Sequence, residues 1–567
     1  MKVDVFIGPE AEKLLGDPEF CQNWRELLVI CPWASVFQEV EFVSTWYSTY
    51  KNHYTPVIVS GFDDGGKIAG LFTLAIENTS GKLVVAGDRY TEYGGWLADP
   101  KTGDGFIESA IAELREKFPN RILTLLFAHP LLPIKWIKPG NRYSGNCHLS
   151  TISRGLMAVG DGSTFKESLR KRNQNKINRL KRIGQVQFAR IKDPEELRQV
   201  IDEIFCYQAL RLRAVYNITN PENDQLRKTF FLNLMRLPGM LHVTVLRVGD
   251  NLVSGQIHMH NRDQVLLGLI THSPIYAKYS PGTLHLLMLG AELANDGIPT
   301  FDLTPGGDYK ERYATDHDNA YILRIFFNSA QCLRYKALRK LRRSVKLMVE
   351  QLNILPAVLE AYAALLDQRE KFSYLKTASL IPEVCRTLKR SLWHSEASSI
   401  YICHLEQMDF SPHEVNLPMN KNHIPDLLAY RPLEAWHPPI NRFLKQAMQN
   451  LENGHHVYTK VENEMLLHFI WLTILQNSTP CGEDEWYAKL PVESAVISDY
   501  MFRPDEPLTR ASLCQVLIDA SRIKGVKSAY IRVSSDNLPL KRAVEELGFT
   551  CSHRHVRRQV LGRVIYG

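Results

Sequence analysis

The chain reads as an α/β (α+β) protein of three similar modules, each a mixed β-sheet with helices inserted between its strands. Three observations predict this. A chain of 567 residues is too long for one hydrophobic core, and at about 100–200 residues per domain it divides into three or so. Strand-like runs alternate with helical spacing over most of its length: residues 265–270 are strand-like, and Leu284, Leu287, Met288 and Ala291 follow at helical spacing. Three runs at 242–248, 252–260 and 264–270 are joined by Gly249-Asp250 and by Asn261-Arg262-Asp263, the pattern of an antiparallel meander.

Hydrophobic residues make up 45% and charged residues 23% of the chain, the balance of an ordinary globular protein. A net charge of +7 fits anionic ligands or a membrane-facing surface and does not require nucleic acid. The 10 cysteines are scattered without a Cys-x-x-Cys pair, which argues for a reducing compartment and against a disulfide framework or a metal site. The residues after Met1 lack the apolar core of a signal peptide, and no stretch is long enough to span a bilayer. A cytoplasmic protein is expected.

Residues 3–7 alternate as an opening strand, and 10–28 carry helical spacing with Trp24 and Leu27 apolar. Phe37, Phe42, Val43, Trp46, Tyr47 and Tyr50 make an aromatic helix face that reads as core. Strands at 56–60 and 68–75 flank Asp63-Asp64-Gly65-Gly66, a hairpin signal, and 83–86 continues the sheet. The polar, aromatic loop from Asp88 through Arg89, Tyr90, Thr91, Glu92 and Tyr93 to Gly95 reads equally as a plain connection or as an acceptor contact. A helix at 107–118 and a strand at 122–127 complete this first part.

Thr164-Phe165-Lys166-Glu167 has the capping-box pattern and opens a helix with Leu169, Ile177, Leu180 and Ile183 near one face. Its other faces carry Lys166, Arg170, Lys171, Arg172, Lys176, Arg179, Lys181 and Arg182. This is a solvated basic helix or a surface for an anionic partner: an acyl-donor phosphate, a nucleotide-sugar or an acidic lipid face. The cations are not interleaved with stacking aromatics, which weakens a nucleic-acid reading. A helix at 195–212 ends near Arg211 and Arg213, and 230–235 belongs to another. His258 and His260 share one strand face. Alternate histidines can ligate a metal, but with no third ligand in view they read as cleft-lining or core, and no metal is expected.

Residues 296–313 hold the most chemistry. Gly297 ends a helix, 300–303 is a short buried strand containing Asp302, and Pro305, Gly306 and Gly307 break regular structure. Asp308, Tyr309, Lys310 and Arg312 follow at once. A strand end opening into a glycine turn with an acid, a phenol and cations is a common place for chemistry in α/β proteins. A solvated turn with a surface ion pair is the plain alternative. Upstream, Tyr279, Ser280, Pro281, Gly282, Thr283 and Leu284 lie where a strand turns into a helix N-terminus. Free N–H groups and the helix dipole there suit a phosphate or carbonyl oxygen.

The Tyr279–Leu284 turn, the helix ending at Gly297, Phe301-Asp302-Leu303 and Gly307-Asp308-Tyr309-Lys310 together resemble the tandem-GNAT acyltransferases. These are the CelD-like proteins, distantly similar to the Fem peptidyltransferases (FemAB-like). The resemblance covers about residues 1–330. It implies two fused GNAT (acyl-CoA N-acyltransferase) folds, 1–155 on the acceptor side and 156–330 on the donor side, with the acceptor between them. It also implies a role in exopolysaccharide or cell-envelope biosynthesis. In the Fem relatives a lysine of this closing motif lies at the reacting centre, and Lys310 matches it. The basic helix fits as well, since CelD-like proteins carry a similar one at the start of their second module.

Between 331 and 397, Arg334, Lys336, Arg339, Lys340, Arg342, Arg343 and Lys346 alternate with Leu333, Leu338, Leu341, Val345 and Leu347. This amphipathic basic helix, followed by helices at 356–366 and 381–392, reads as a packed linker or as a peripheral membrane contact through 333–347. Residues 398–567 look like a third, divergent GNAT module. Its order is a strand at 399–404, a helix at 440–451, a hairpin of 456–460 with 466–475, a strand at 495–502, a helix at 508–523 and a strand at 526–533. A helix capped by Asn537 and stopped at Leu547-Gly548-Phe549 resembles the closing GNAT motif. Where that family has a glycine-rich pyrophosphate loop, this chain reads Pro504-Asp505-Glu506-Pro507-Leu508-Thr509-Arg510-Ala511-Ser512. Without glycines the backbone cannot approach a pyrophosphate closely, and two acids would repel it. This module is expected to bind or scaffold rather than catalyse.

The expected reaction moves an acyl or aminoacyl group to an amine or hydroxyl of a sugar or envelope precursor. Lys310 would stabilise charge, with Asp308 or Tyr309 assisting proton transfer. The donor, acyl-CoA (acetyl-CoA), a carrier protein or an aminoacyl-tRNA, would lie against Tyr279–Leu284. Tyr90, Tyr93, Arg172, Arg211, His258 and Asp302 are the expected acceptor contacts. The competing reading is a non-catalytic binding or regulatory protein built from degenerate GNAT folds.

Overall fold

The computed structural model describes residues 2–218, 224–351, 393–407, 419–432, 437–475, 490–501, 506–560 and 563–566. They fall into two compact units. The first comprises Met1–Phe205, Glu222–His272 and Tyr279–Leu355; the second comprises Cys206–Pro221, Ser273–Lys278 and Pro356–Gly567.

The first unit holds two sheets. In the first sheet β1 (Lys2–Ile7), β2 (Tyr54–Phe62), β3 (Ile68–Glu77) and β4 (Leu83–Val85) lie in chain order, and β5 (Leu97–Ala98) also pairs with β3. The helices Pro18–Ile30, Val40–Tyr50 and Gly103–Lys117 pack on it, and Trp24, Phe42, Trp46 and Phe72 are buried. The single helix expected at 10–28 is two, Pro9–Leu15 and Pro18–Ile30. The break comes at Asp17, whose carboxylate caps the second helix by accepting the Glu19 N–H at 2.9 Å. The mixed sheet expected in this module is instead antiparallel at every pairing among the described residues. The strand read beside it, β6 (Ile122–Ala128), pairs with the second sheet.

That second sheet adds β7 (Cys147–Ala158), β8 (Val186–Ile191), β9 (Leu241–Val248), β10 (Asn251–Asn261), β11 (Gln264–His272), β12 (Thr300–Pro305) and β13 (Asp316–Phe326). The order is β6-β13-β7-β12-β11-β10-β9-β8. Only β11 and β12 run parallel among the described pairs, and the helix Pro281–Asn295 makes the crossover that parallel neighbours need. Their pairing joins 264–266 to 300–302 and stops, although β11 continues to His272 and β12 to Pro305. Met157, Val265, Leu286, Leu289, Phe301 and Leu303 form the core under this join.

The basic helix is also two, Ser163–Lys171 and Gln174–Lys181. Asn173 is buried at the break, and its side-chain amide and backbone N–H both bond the Ser168 carbonyl, in competition with the helical ladder. The first of the two starts at Ser163, whose N–H bonds the Asp161 carboxylate at 2.9 Å, rather than at a Thr164 capping box. After β13 the helix Ser329–Gln351 carries exposed Leu333, Leu338, Leu341 and Val345 among its cations. The helices expected at 356–366 and 381–392 lie outside the described residues, as do Pro504 and Asp505.

The second unit holds β14 (Trp393–His404), β15 (Asn420–Lys421), β16 (His456–Glu462), β17 (Met465–Ile474), β18 (Ala495–Met501), β19 (Ser528–Ser534), β20 (Thr550–Val560) and β21 (Arg563–Tyr566). The order is β15-β16-β17-β18-β19-β14-β20-β21, again with one parallel pair among those described, β18 with β19. The Asn537 side chain caps the helix Leu538–Glu546, accepting the Leu540 N–H at 3.1 Å. Among the described residues no helix is long and apolar enough to cross a membrane.

Candidate active site

At the end of β12 the chain reverses through Gly306 (φ +85°) and Gly307 (φ +86°), where a Cβ on Gly307 would meet the Tyr309 ring at 3.1 Å. The short 3-10 turn Asp308–Arg312 then returns Lys310 to the strand end. Its ammonium donates to the Thr304 carbonyl at 3.1 Å and to the Thr304 hydroxyl at 3.0 Å. Thr304 itself has φ +54°, an unusual conformation for a β-branched residue. It is held there by its N–H, which donates to Asp302 Oδ1 at 2.8 Å, and by its hydroxyl, which reaches the Leu267 carbonyl at 3.4 Å. Strain of this kind costs about 1–3 kcal/mol and persists only where neighbours enforce it.

Asp302 is fully buried, and its other oxygen accepts from the Tyr93 hydroxyl at 2.6 Å and from Arg154 at 3.1 Å. Arg154, on β7, also donates to Asp318 on β13 at 2.9 Å, and its guanidinium lies over the Tyr93 ring at 5.5 Å. The network thus ties the Asp88–Gly95 loop to β12, β7 and β13. Burial pushes the Asp302 carboxyl up, while Arg154 and the Tyr93 and Thr304 donors pull it back. Burial and the Asp302 charge hold the Tyr93 phenol well above its usual range, so it stays a donor.

Glu92 is next to Tyr93 on the same loop. Burial raises its carboxyl above the usual range, against the pull of the Lys310 charge, and Asp302 raises it further. Burial lowers Lys310 in turn, opposed by Glu92 and Asp302. The cluster therefore holds a carboxylate of raised proton affinity within electrostatic reach of a partly desolvated ammonium that two Thr304 oxygens orient. Such groups suit proton acceptance and oxyanion stabilisation respectively. His129 stands nearby electrostatically: burial, then the Arg154 charge, lowers it to about 4, so it is neutral.

The turn after β11 has Ser280 at φ +54° as the N-cap of Pro281–Asn295, with no side-chain cap. Tyr279, Pro281 and Leu284 are buried, and Gly282 and Thr283 are partly exposed. The Tyr313 hydroxyl bonds Thr283 Oγ1 at 3.1 Å, and Arg179 from the basic segment lies over the Tyr279 ring at 5.1 Å. A helix N-terminus with a guanidinium beside it fits an anionic ligand.

Of the other expected residues, Asp308 and Tyr309 are exposed on the turn, and Arg172 is exposed at the end of its helix. Arg211 lies in the second unit, where its charge acts on Glu452. His258 is fully buried; Nδ1 accepts the Gly268 N–H at 3.2 Å and Nε2 meets Gln256 Oε1 at 2.9 Å, so both ring nitrogens are engaged inside the sheet. Tyr90 packs against Tyr50 and Phe230, with its hydroxyl 2.9 Å from that of Tyr50. The structure thus gathers Lys310, Asp302 and Tyr93 into one network. It adds Glu92, Thr304, Arg154 and Asp318, of which Glu92 and Thr304 lie in stretches that sequence patterns mark out and Arg154 and Asp318 do not.

A family model described as an acetyltransferase (GNAT) domain matches residues 167–314, a span that contains the Tyr279–Leu284 turn, β12 and Lys310. No curated protein matches the chain. Among solved structures, FemX is 9% identical over 53% of this chain and 95% of that one, with a TM-score of 0.38. L-PGS from Bacillus licheniformis is 13% identical over 57% and 96%, with a TM-score of 0.34. A tandem GNAT protein from the clavulanic acid biosynthesis pathway is 11% identical over 57% and 98%, with a TM-score of 0.32. Likenesses this distant carry no argument about substrate. The chain has a mixed α/β fold in which residues 167–314 match an acetyltransferase (GNAT) domain, a domain of transferase type.

Proposed function

We propose that the chain transfers an acyl or aminoacyl group from a CoA or carrier thioester, or an aminoacyl ester, to an amine or hydroxyl acceptor at the Lys310 centre. The observation that carries this reading is the Lys310 ammonium, oriented by two oxygens of strained Thr304 within the matched span and subject to the charge of the Glu92 carboxylate. Glu92 accepts the proton of the attacking amine as the new C–N bond forms. Lys310 and its remaining N–H face the carbonyl oxygen where negative charge collects. When the C–S or C–O bond breaks, Glu92 returns its proton to the leaving group, so the cycle balances. The raised proton affinity of Glu92 fits both halves of that exchange.

The donor's phosphates would meet the Gly282 N–H and Arg179, and its acyl arm would enter where β11 and β12 part. The family resemblance supports a sugar or cell-envelope precursor as acceptor and an exopolysaccharide or envelope role at the cytoplasmic face, and the amphipathic basic pattern of 333–347 supports a peripheral membrane contact there. The reading is tested by thiol release from acetyl-CoA with amine and amino-sugar acceptors. Acetyl-CoA should also raise the melting temperature, since a ligand of the native state must stabilise it. The absence both of turnover with every donor class and of a thermal shift would sink it.

A further inference from the structure

Outside the Lys310 network, a cavity of about 130 Å³ opens in the first module. Its walls include Trp46, Tyr50, Tyr54 and Tyr90, with the carboxylates of Glu77 and Asp88. The rings are set against one another: Trp46 and Tyr54 centroids lie 4.6 Å apart, Trp46 and Tyr50 5.9 Å, and Tyr50 and Tyr90 5.9 Å. The Val40–Tyr50 helix supplies two rings, β2 a third and the Asp88–Tyr90 turn the fourth.

Asp88 is held in place. Gly87 before it has φ +92°, and a Cβ there would fall 2.0 Å from Thr91 Oγ1. Asp88 takes φ +42° and accepts the Tyr54 hydroxyl at 2.9 Å. Glu77 is half-buried and accepts a hydrogen bond from the Ser80 hydroxyl. Arg89 and His53 also border the cavity, and both are exposed. Two carboxylates line the cavity against one guanidinium. Aromatic faces attract cations through their quadrupoles, and carboxylates add direct attraction. A cavity of this size is close to one that holds a benzene ring, about 150 Å³.

We propose that this cavity is a binding site for the alkylammonium group of a small molecule. It stands on the cavity's own walls and does not depend on what the Lys310 centre does. The probe is choline, compared with its neutral isostere neohexanol, in which carbon replaces the quaternary nitrogen, by calorimetric titration of the full chain. Choline should bind saturably and the alcohol at least about tenfold more weakly. The double variant Glu77→Gln, Asp88→Asn keeps the shape and the acceptor for Tyr54. It should weaken choline by about tenfold or more and leave the alcohol unchanged. Equal binding of alcohol and choline would make the cavity merely apolar and overturn the proposal, as would the absence of saturable choline binding. Undiminished choline binding by a folded double variant would place any choline elsewhere and overturn it too. If the double variant does not fold, the comparison of choline with alcohol on the unaltered chain decides alone.

Discussion

The Tyr93 hydroxyl stands 2.6 Å from Oδ2 of Asp302, joining a loop of the first sheet to the fully buried end of a strand in the second. The contact lets a residue next to Glu92 fix the loop against the strand that carries Thr304. Hydrogen bonds to charged groups contribute about 1.5–3 kcal/mol. Tyr93→Phe should therefore lower the melting temperature modestly, because Arg154 and the Thr304 N–H still serve Asp302. Asp302→Ala should cost more, about 3–5 kcal/mol, because it strands part of a buried guanidinium. Equal melting temperatures for the two variants would show that the network does not bind the seam.

Lys310 is anchored by one residue, Thr304, and packs little core. Removing one preorganised oxyanion donor typically costs about 2.7–4 kcal/mol of transition-state stabilisation. Lys310→Ala should lower turnover roughly a hundredfold or more while changing stability little. Lys310→Arg should recover only part, because a planar guanidinium cannot take the same two Thr304 oxygens as a compact ammonium. Near-normal turnover of folded Lys310→Ala would remove Lys310 from the reaction.

Glu92 couples activity and stability in opposite directions. As a base it must be ionised, so kcat/KM should fall as pH drops through its raised value, above the ordinary glutamate range. For stability the sign reverses. A carboxyl raised on folding contributes most below its unfolded value of 4.5, and that contribution is lost as pH rises through the folded value. Glu92→Gln should thus abolish the acid limb, cut the rate by about 10²–10⁴-fold, and raise the melting temperature at neutral pH. A variant that loses activity but keeps the acid limb would assign the base to another group.

Gly282 leads the helix that would face the donor. A Cβ there meets only His272 Nδ1, at 3.5 Å, so the backbone tolerates a side chain. Gly282→Val should then weaken acetyl-CoA binding, read as a smaller thermal shift, without unfolding the protein. An unchanged shift would put the donor elsewhere.

What sequence patterns could reach was local. The strand, glycine break and turn from Thr300 to Arg312 are encoded within a dozen or so neighbouring residues, so Asp302 and Lys310 stood out. Arg154 did not, because its meaning arises only when β7 pairs with β12 and places it against a carboxylate 148 residues away. β7 itself reads Cys-His-Leu-Ser-Thr-Ile-Ser-Arg-Gly-Leu-Met-Ala, with no clean alternation, since a strand paired on both edges does not need one polar face. The same long-range pairing places β6 in the second sheet although it follows the strands of the first: an isolated strand carries no mark of which edge it will join. Asp308 and Tyr309 are adjacent to Lys310 in sequence, yet the turn leaves them exposed, while partly buried Glu92, some 200 residues earlier in the chain, acts on that lysine through its charge.

The histidines of β10 and the Pro281–Asn295 helix set an acid limit on the fold. Burial lowers His260 to about 4 and His285 to about 3, and holds His258 well below 6.5. His260 also faces the His242 ring at 5.3 Å and Arg190, whose guanidinium lies 3.4 Å from Nε2; Asp296 and Glu292 oppose these cations. A histidine lowered on folding binds fewer protons in the native state. Its contribution is complete above the unfolded value of 6.5 and is lost as pH falls toward about 4. Glu39, pushed up to about 7 by burial, works the other way between 4.5 and 7, so the whole-protein profile mixes both signs. The difference between the native chain and His260→Gln isolates one group. Near pH ~7.5 that difference reports lost packing alone, and near pH ~5 the variant, which has no proton to take up, should gain relative to the native chain. Melting temperatures that differ by the same amount at both pH values would mean that His260 is not held neutral by the fold.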